Sequence, residues 1–438
     1  MPDRSDFAAR LSAPASARVC AWALPVLLAL RLPAALDGAD SVNFALGLLD
    51  FDPALEQPHF PGYPVYIALC RLLAWAGLPE ALALALPGVL ASAALVPAQL
   101  ALGRRFGLSE SALVCAAVLL FAQPLLWFEG PRPMPDLLAT TCAWVALALA
   151  AGERPGAAGV ALGVALGIRI DLAPLAFAAA ALPGKARVRL GAGLALGIGL
   201  WLPAFLCALP HGALARGLAF ALGHFSVWGS TALAGAGGGS AARGLALGLA
   251  APVLFALALF GVWRAPAPLR RFLAWALGPY LLWVLIGQNL SSARHFLPLA
   301  PALGLLAACA LGAIPRGALR GLAYASLAAS AVALVALARP PHPNGRELYA
   351  RASAACPDCS AIFAGPSQRL LEHYAPAGAP LYRRASLSAV RLDLEAWPML
   401  GGAIGITSEL AGPASLAGRG AEIGGGLRLY RIDAAALR

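Results

Sequence analysis

Apolar residues come along this chain in blocks close to the length that crosses a bilayer as a helix, and short polar segments separate the blocks. The blocks predict spans near 19–36, 80–102, 110–128, 137–152, 156–169, 172–184, 190–210, 244–263, 272–288, 296–314 and 318–338, about eleven in all. The intervening segments alternate in character. One set carries basic residues: Arg104 and Arg105, Arg154, Lys185 with Arg187 and Arg189, Arg264 with Arg270 and Arg271, and Arg316 with Arg320. The other set carries carboxylates: Asp37, Asp40, Asp50, Asp52, Glu56, Glu129, Asp136 and Asp171. Basic loops stay on the cytoplasmic side, so the acidic set faces outward and the N-terminus lies inside. Residues 63–78 are apolar enough to be a further span, but a crossing there turns every later basic loop outward. They are therefore expected to lie on the outer surface as an amphipathic helix, with Arg71, Tyr63, Tyr66 and Trp75 at the interface.

The pattern changes at Pro340-Pro341-His342-Pro343-Asn344-Gly345, a cluster that breaks helices. Beyond it polar and apolar residues mix. Strands are expected at Ser360–Gly365, Pro380–Arg383 and Gly426–Ile432, and a helix at Ser367–Tyr374. The expected architecture is an all-α polytopic transmembrane bundle over 1–339, with a first periplasmic loop at 37–79, followed by a small α/β periplasmic domain over 340–438.

Composition agrees with a membrane location. Of the 438 residues, 60% are hydrophobic and only 12% charged, about half the charged share of a soluble domain. The net charge of +11 sits largely in the inner loops and sets orientation; it is no footprint for nucleic acid. Arg4, Arg10 and Arg18 before the first apolar run read as an uncleaved signal anchor. Six of the eight cysteines are scattered singly in apolar stretches, whereas Cys356 and Cys359 stand close together on the outer, oxidising side, where a local disulfide is expected.

The chemistry-bearing residues gather in the outward segments. Asp37 and Asp40 follow the first span, and next comes the run His59-Phe60-Pro61-Gly62-Tyr63-Pro64-Val65-Tyr66. A carboxylate beside hydrocarbon is partly desolvated and becomes a better general base. The plainer reading is that Asp40 caps a helix starting at Ser41. Glu129 and Arg132 belong to a proline-stiffened loop ending at Asp136, which is either a helix cap or part of a site. Arg169 and Asp171 are either a structural pair at a span end or a contact for an anion. Arg294 and His295 open a late span, where Arg294 either snorkels or clamps a phosphate. His224 to Ser230 opens a Gly-rich stretch, Ala234–Ser240, either a cover for a bound sugar or a connector.

Asp40-Ser41-Val42-Asn43-Phe44, followed by the His59–Tyr66 run, resembles the first periplasmic loop of GT-C membrane glycosyltransferases. The likeness is strongest to the bacterial protein-O-mannosyltransferase-like branch and looser to the lipid A aminoarabinose transferases. Asn43 stands where the former often has an acidic residue, and Phe60 where it has proline. The segment at Arg294–Pro298 resembles an Arg-Tyr-x-Leu-Pro segment of the superfamily. The resemblance implies transfer of a sugar from a polyprenyl-phosphate donor to an acceptor hydroxyl on the periplasmic side of the bacterial inner membrane, with inversion. Asp40 or Asp37 is then the catalytic base. His59, Tyr63, Tyr66, Glu129, Arg132, Arg169, Arg294 and His295 are then substrate-binding. The expected partners are the donor, a lipid, glycan or protein acceptor, and membrane lipids. The sequence requires no cofactor and demands no metal-ligand set, although a divalent ion near Asp37 and Asp40 is compatible with it. The competing readings are a transporter or flippase of a lipid-linked solute and a catalytically silent relative.

Overall fold

The structure is a computed structural model and describes residues 15–228, 231–233, 252–290, 292–314, 317, 321, 344–365, 367–384, 386–397, 400, 402–410, 420–424 and 427–437. Four helices among the described residues are long and apolar enough to cross a membrane: Glu80–Arg105, Gly184–Ala208, Ala267–Gly287 and Ala293–Ala313. Shorter apolar helices fill the rest of the bundle, among them Asp136–Ala151, Pro155–Ile168 and Pro252–Arg264. Several expected spans are interrupted. The first helix ends at Ala29, short of Pro33. The block 110–128 divides at Gln123 into Glu110–Phe121 and Pro124–Glu129, because a residue before proline is driven out of the helical region. The block 172–184 is a tight 3₁₀ segment, Ile170–Ala181, with Pro174 inside it. The span expected at 318–338 lies outside the described residues.

Pro155–Ile168 packs closely against Gly184–Gly199, and glycine spacing explains the approach. A Cβ on Gly163 would sit 2.7 Å from the carbonyl oxygen of Leu194, and a Cβ on Gly193 would collide with the carbonyl of Gly156. Small residues four apart let two backbones meet, which drives helix pairing in lipid where apolar burial contributes little. Gly193→Leu is expected to lower the melting temperature of the detergent-solubilised protein by several degrees, read by thermal unfolding, whereas Gly191→Leu, whose Cβ meets nothing within 4 Å, is expected to leave it unchanged.

Residues 63–78 do form a helix, Pro64–Trp75. It buries Tyr66, Ile67 and Cys70 and exposes Leu69, Leu72 and Trp75. Arg71 turns inward and donates to the Gly47 carbonyl at 2.9 Å, tying this helix to Ala39–Leu49.

From 344 onward the chain builds a five-stranded sheet of β1 (Ala361–Ala364), β2 (Leu381–Arg383), β3 (Ala403–Thr407), β4 (Ala421–Gly424) and β5 (Leu427–Asp433), in the order β2-β1-β3-β5-β4. The β1 strand is buried at every position and runs parallel to both neighbours, as a continuous apolar strand should. The β3, β5 and β4 strands pair antiparallel. The three expected strands and the helix Gln368–Tyr374 are present. The β3 and β4 strands and the helices Gly345–Ala355 and Leu387–Ala396 were not apparent in the sequence pattern. Cys356 and Cys359 form a disulfide. This region is fastened to the first acidic loop: the Leu36 N–H donates to the Tyr374 hydroxyl at 2.8 Å, His373 meets Glu80 at 2.8 Å, and Arg369 donates to Glu56 at 2.7 Å.

Candidate active site

Asp40 lies in the first turn of the helix Ala39–Leu49, not at its cap. The N-cap is Gly38, and the Ser41 hydroxyl accepts from the N–H groups of Asp37 and Gly38 at 3.1 and 3.0 Å while donating to the Gly38 carbonyl at 2.8 Å. Ser41 thus supplies the capping that a carboxylate would otherwise give, and Asp40 is left to point elsewhere. Its Oδ2 accepts from Arg294 at 2.6 Å, and its Oδ1 stands 4.0 Å from Nδ1 of His59.

The His59–Tyr66 run wraps around the next turn of the same helix. Phe44 is packed edge-on by Tyr63 and Tyr66, with centroids at 4.9 and 5.3 Å, and His59 tilts against it at 5.4 Å. Tyr63 holds a left-handed backbone, φ 50°, as it caps the helix Pro64–Trp75. That conformation is uncommon for a tyrosine and recurs where a side chain must be aimed. The Tyr63 hydroxyl lies 2.9 Å from Nε2 of His59. A lone pair on Nδ1 would face the Asp40 carboxylate, so electrostatics favours the tautomer with the proton on Nδ1 and Tyr63 donating to Nε2.

Burial alone pushes the Asp40 carboxyl up, but Arg294 and then His59 more than reverse this, and it is held below the usual carboxylate range. Burial pushes His59 below its ordinary value; Asp40 opposes that shift and Arg294 adds to it, so the imidazole is neutral near pH 7. Burial likewise raises the Tyr63 hydroxyl, which stays protonated.

A second knot of charge centres on Arg169, which is buried at the end of helix Pro155–Ile168. It pairs with Asp136, binds Asp171 at 2.8 Å and reaches Nδ1 of His295 at 2.7 Å. The Tyr280 hydroxyl donates to the His295 carbonyl at 2.8 Å. Asp136 is therefore an ion-pair partner in the first turn of its helix, after Pro135 as N-cap. Glu129 and Arg132 pair with each other, as their spacing allows, at 2.8 Å, and Arg132 also takes Asp37 at 2.6 Å. Burial opposes the charge on Arg132, but Asp37 and Glu129 outweigh it and raise its pKa. Asp37 and Asp40 thus face different arginines and do not converge on one point. Among the described residues no group of three or more His, Cys, Asp or Glu is arranged to hold a metal.

A cavity of about 660 Å³ opens onto these residues, within the range of small-molecule sites. Asp40, His59, Tyr63, Arg169, Arg294 and His295 line it, whereas Asp37, Tyr66, Glu129 and Arg132 stand behind the lining. The cavity also takes in Asn43 and Phe44 of the Asp40–Phe44 run, together with residues not singled out from the sequence: Trp283 and Gln288 from the helical bundle, and Arg369 and Arg383 from the sheet region. His224 and Phe225 reach it from a π-helical turn following Ala213–Gly223. The Gly-rich stretch Ala234–Ser240 lies outside the described residues. Aromatic rings and guanidinium and carboxylate groups both line the cavity, and an amphiphile with a charged head suits that combination.

The protein is thus a membrane protein, with four helices among the described residues long and apolar enough to cross a bilayer and with a charged cavity, and it shares its fold with solved structures of ArnT. The structural likeness is to ArnT from Cupriavidus metallidurans. Against ArnT bound to undecaprenyl phosphate the TM-score is 0.55 at 12% identity, covering 96% of this chain and 98% of that one. Against apo ArnT it is 0.53 at 15% identity, covering 95% and 98%. The oligosaccharyltransferase of Archaeoglobus fulgidus overlaps at a TM-score of 0.49 and 13% identity, over 89% of this chain and 69% of its own. No protein-family model matches the sequence, and no curated protein matches it either.

Proposed function

We propose that this chain is a membrane glycosyltransferase that moves a sugar from a polyprenyl-phosphate donor to an acceptor hydroxyl, with inversion, at the periplasmic end of the bundle. The observation that carries this reading is the Asp40–Arg294 contact in a cavity lined by both charged groups and aromatic rings. One group can take the acceptor proton, and its neighbour can receive the leaving phosphate. The shared fold with ArnT, whose structure holds undecaprenyl phosphate, supports the donor class. The alternation of loop charge supports the orientation: N-terminus cytoplasmic, sheet region periplasmic as a separate domain, in a bacterial inner membrane. Arg105, in one basic loop, donates to the Ala151 carbonyl at 2.7 Å in the next, so these two loops share an end.

At the anomeric carbon one bond is made and one is broken, and a proton moves with them. The acceptor oxygen attacks the anomeric carbon, its proton passes to Asp40 Oδ1, and the carbon–phosphate oxygen bond breaks with its electrons going to the phosphate. Arg294 neutralises that charge. Resting Asp40 is a weak base because Arg294 is its counterion. A donor phosphate competes for the same guanidinium, so Asp40 keeps its burial, loses part of its counterion and gains proton affinity when donor is present. Arg169, with His295 and Asp171, fixes another part of the lining.

The test is transfer by the purified protein in lipid nanodiscs, with radiolabelled undecaprenyl-phosphate sugars and an envelope extract as acceptor. Label moving to the extract supports the reading; no transfer from any donor removes it. Arg294→Lys keeps the charge but loses the planar fork, and kcat/KM for donor is expected to fall at least about tenfold, mainly through KM.

A further inference from the structure

The imidazole of His59 is held by aromatic neighbours that leave one ring nitrogen without a partner. The rings of Phe44 and Phe220 pack against it, with centroids at 5.4 and 6.5 Å, and the Tyr63 hydroxyl meets Nε2 at 2.9 Å. Nδ1 is buried, has no hydrogen-bond partner among the described residues, and stands 4.0 Å from Oδ1 of Asp40. A buried N–H without a partner costs free energy and calls for an explanation.

In the resting site Arg294 holds the other oxygen of Asp40 at 2.6 Å. A hydrogen bond needs about 2.7–3.2 Å, so Oδ1 has to approach Nδ1 by about 1 Å. A donor phosphate that draws Arg294 away frees the carboxylate for that move. The exchange suits a base. A guanidinium suppresses the proton affinity of a carboxylate strongly, whereas a neutral N–H orients it with a smaller effect. Oδ1 has two lone-pair sites, so it accepts from Nδ1–H on one and takes the acceptor proton on the other.

We propose that His59 is a positioning residue: once the donor phosphate engages Arg294, its Nδ1–H donates to Asp40 and orients the base, while Tyr63 fixes the tautomer by donating to Nε2. This rests on the reading of the chain as a transferase with Asp40 as base, and the experiment keeps the two apart. His59→Asn and His59→Gln are compared in the full-length protein in nanodiscs, with folding checked by thermal unfolding. The asparagine amide places an N–H near the position of Nδ1, and the longer glutamine amide places one near Nε2. His59→Asn is expected to keep kcat within a few-fold of wild type, and His59→Gln to lose about 10- to 100-fold, both with KM for donor little changed. Tyr63→Phe is expected to lower kcat about tenfold by itself and to cost nothing further in His59→Asn, where no tautomer remains to be fixed. A folded His59→Gln variant as active as His59→Asn overturns the proposal. So does a full further loss from Tyr63→Phe in the His59→Asn background.

A second readout does not depend on transfer. NMR of the protein labelled at its histidines, with His59 assigned by the signal lost in His59→Asn, is recorded before and after adding undecaprenyl phosphate. The Nδ1 proton is expected to move downfield, and to move less in Asp40→Asn, where the acceptor is neutral. No movement overturns the proposal, and movement of equal size in Asp40→Asn puts the phosphate itself on Nδ1 and overturns it too. The expected movement without transfer of any sugar removes the transferase reading and leaves the His59–Asp40 hydrogen bond standing.

Discussion

Asp40→Asn is expected to lower kcat for sugar transfer by about three orders of magnitude while changing KM for the donor only slightly. Asparagine is nearly isosteric, and its amide oxygen can still accept from Arg294, so the helix Ala39–Leu49 and its capping by Ser41 persist. What is lost is the oxygen that takes the proton. Asp37→Asn is the informative comparison. That carboxylate binds Arg132 behind the cavity lining, and Glu129 still holds the same guanidinium after the change. Its expected effect is a modest loss of thermal stability with kcat within a few-fold of wild type. A collapse of kcat in Asp37→Asn with activity retained in Asp40→Asn would exchange the two roles.

The pH profile provides an independent check. Asp40 is held below the ordinary carboxylate range, so it is fully ionised from neutral pH downward through that range. The acid limb of kcat/KM for the free enzyme should therefore fall below about pH 4, the usual aspartate value. A limb above the aspartate range but below the ordinary imidazole value, about pH 6.5, would place the essential base on a buried imidazole instead. His59 is the obvious candidate for that outcome, but its own pKa is pushed down by burial and by Arg294, so its limb would also lie on the low side of normal.

The sequence disclosed the bundle and half of the site, and the reason lies in what is local. Apolar block length depends on neighbouring residues only, so the apolar helices could be read directly, although only four of them among the described residues are long enough to cross a membrane. The Asp40–Phe44 and His59–Tyr66 runs were visible for the same reason, and Phe44 is what the second run packs against. The interruption at Gln123 was also written locally, in Pro124, but a hydropathy block conceals it. The remainder is non-local. Arg169 meets His295 across 126 positions, Arg294 meets Asp40 across 254, and Arg369 meets Glu56 across 313. Pairing of charges at such separations leaves no trace in spacing. The capping role first considered for Asp40 shows the converse limit: the local pattern allowed it, but Ser41 fills that role and frees the carboxylate for a partner brought in by the fold.

Arg169→Met should be the most damaging single change for stability. The guanidinium is buried and serves Asp136, Asp171 and His295 together, and Asp136 itself is 3% exposed. Removing the cation leaves two carboxylates in a cavity wall without a counterion, a defect that costs about 3–5 kcal/mol. Thermal unfolding of the detergent-solubilised variant should show a melting temperature lowered by several degrees, with much reduced yield. Arg169→Lys should recover little of this, because one ammonium cannot reach three partners in the plane that a guanidinium spans. The charge origin of the defect is tested by adding Asp136→Asn and Asp171→Asn to Arg169→Met. If uncompensated charge is the cause, the triple variant is more stable than the single one. If stability does not return, packing around the long side chain is what Arg169 supplies. Transfer measured on a restabilised triple variant then isolates the contribution of the cation to catalysis: continued loss of activity assigns Arg169 to the substrate, and recovered activity assigns it to the wall alone.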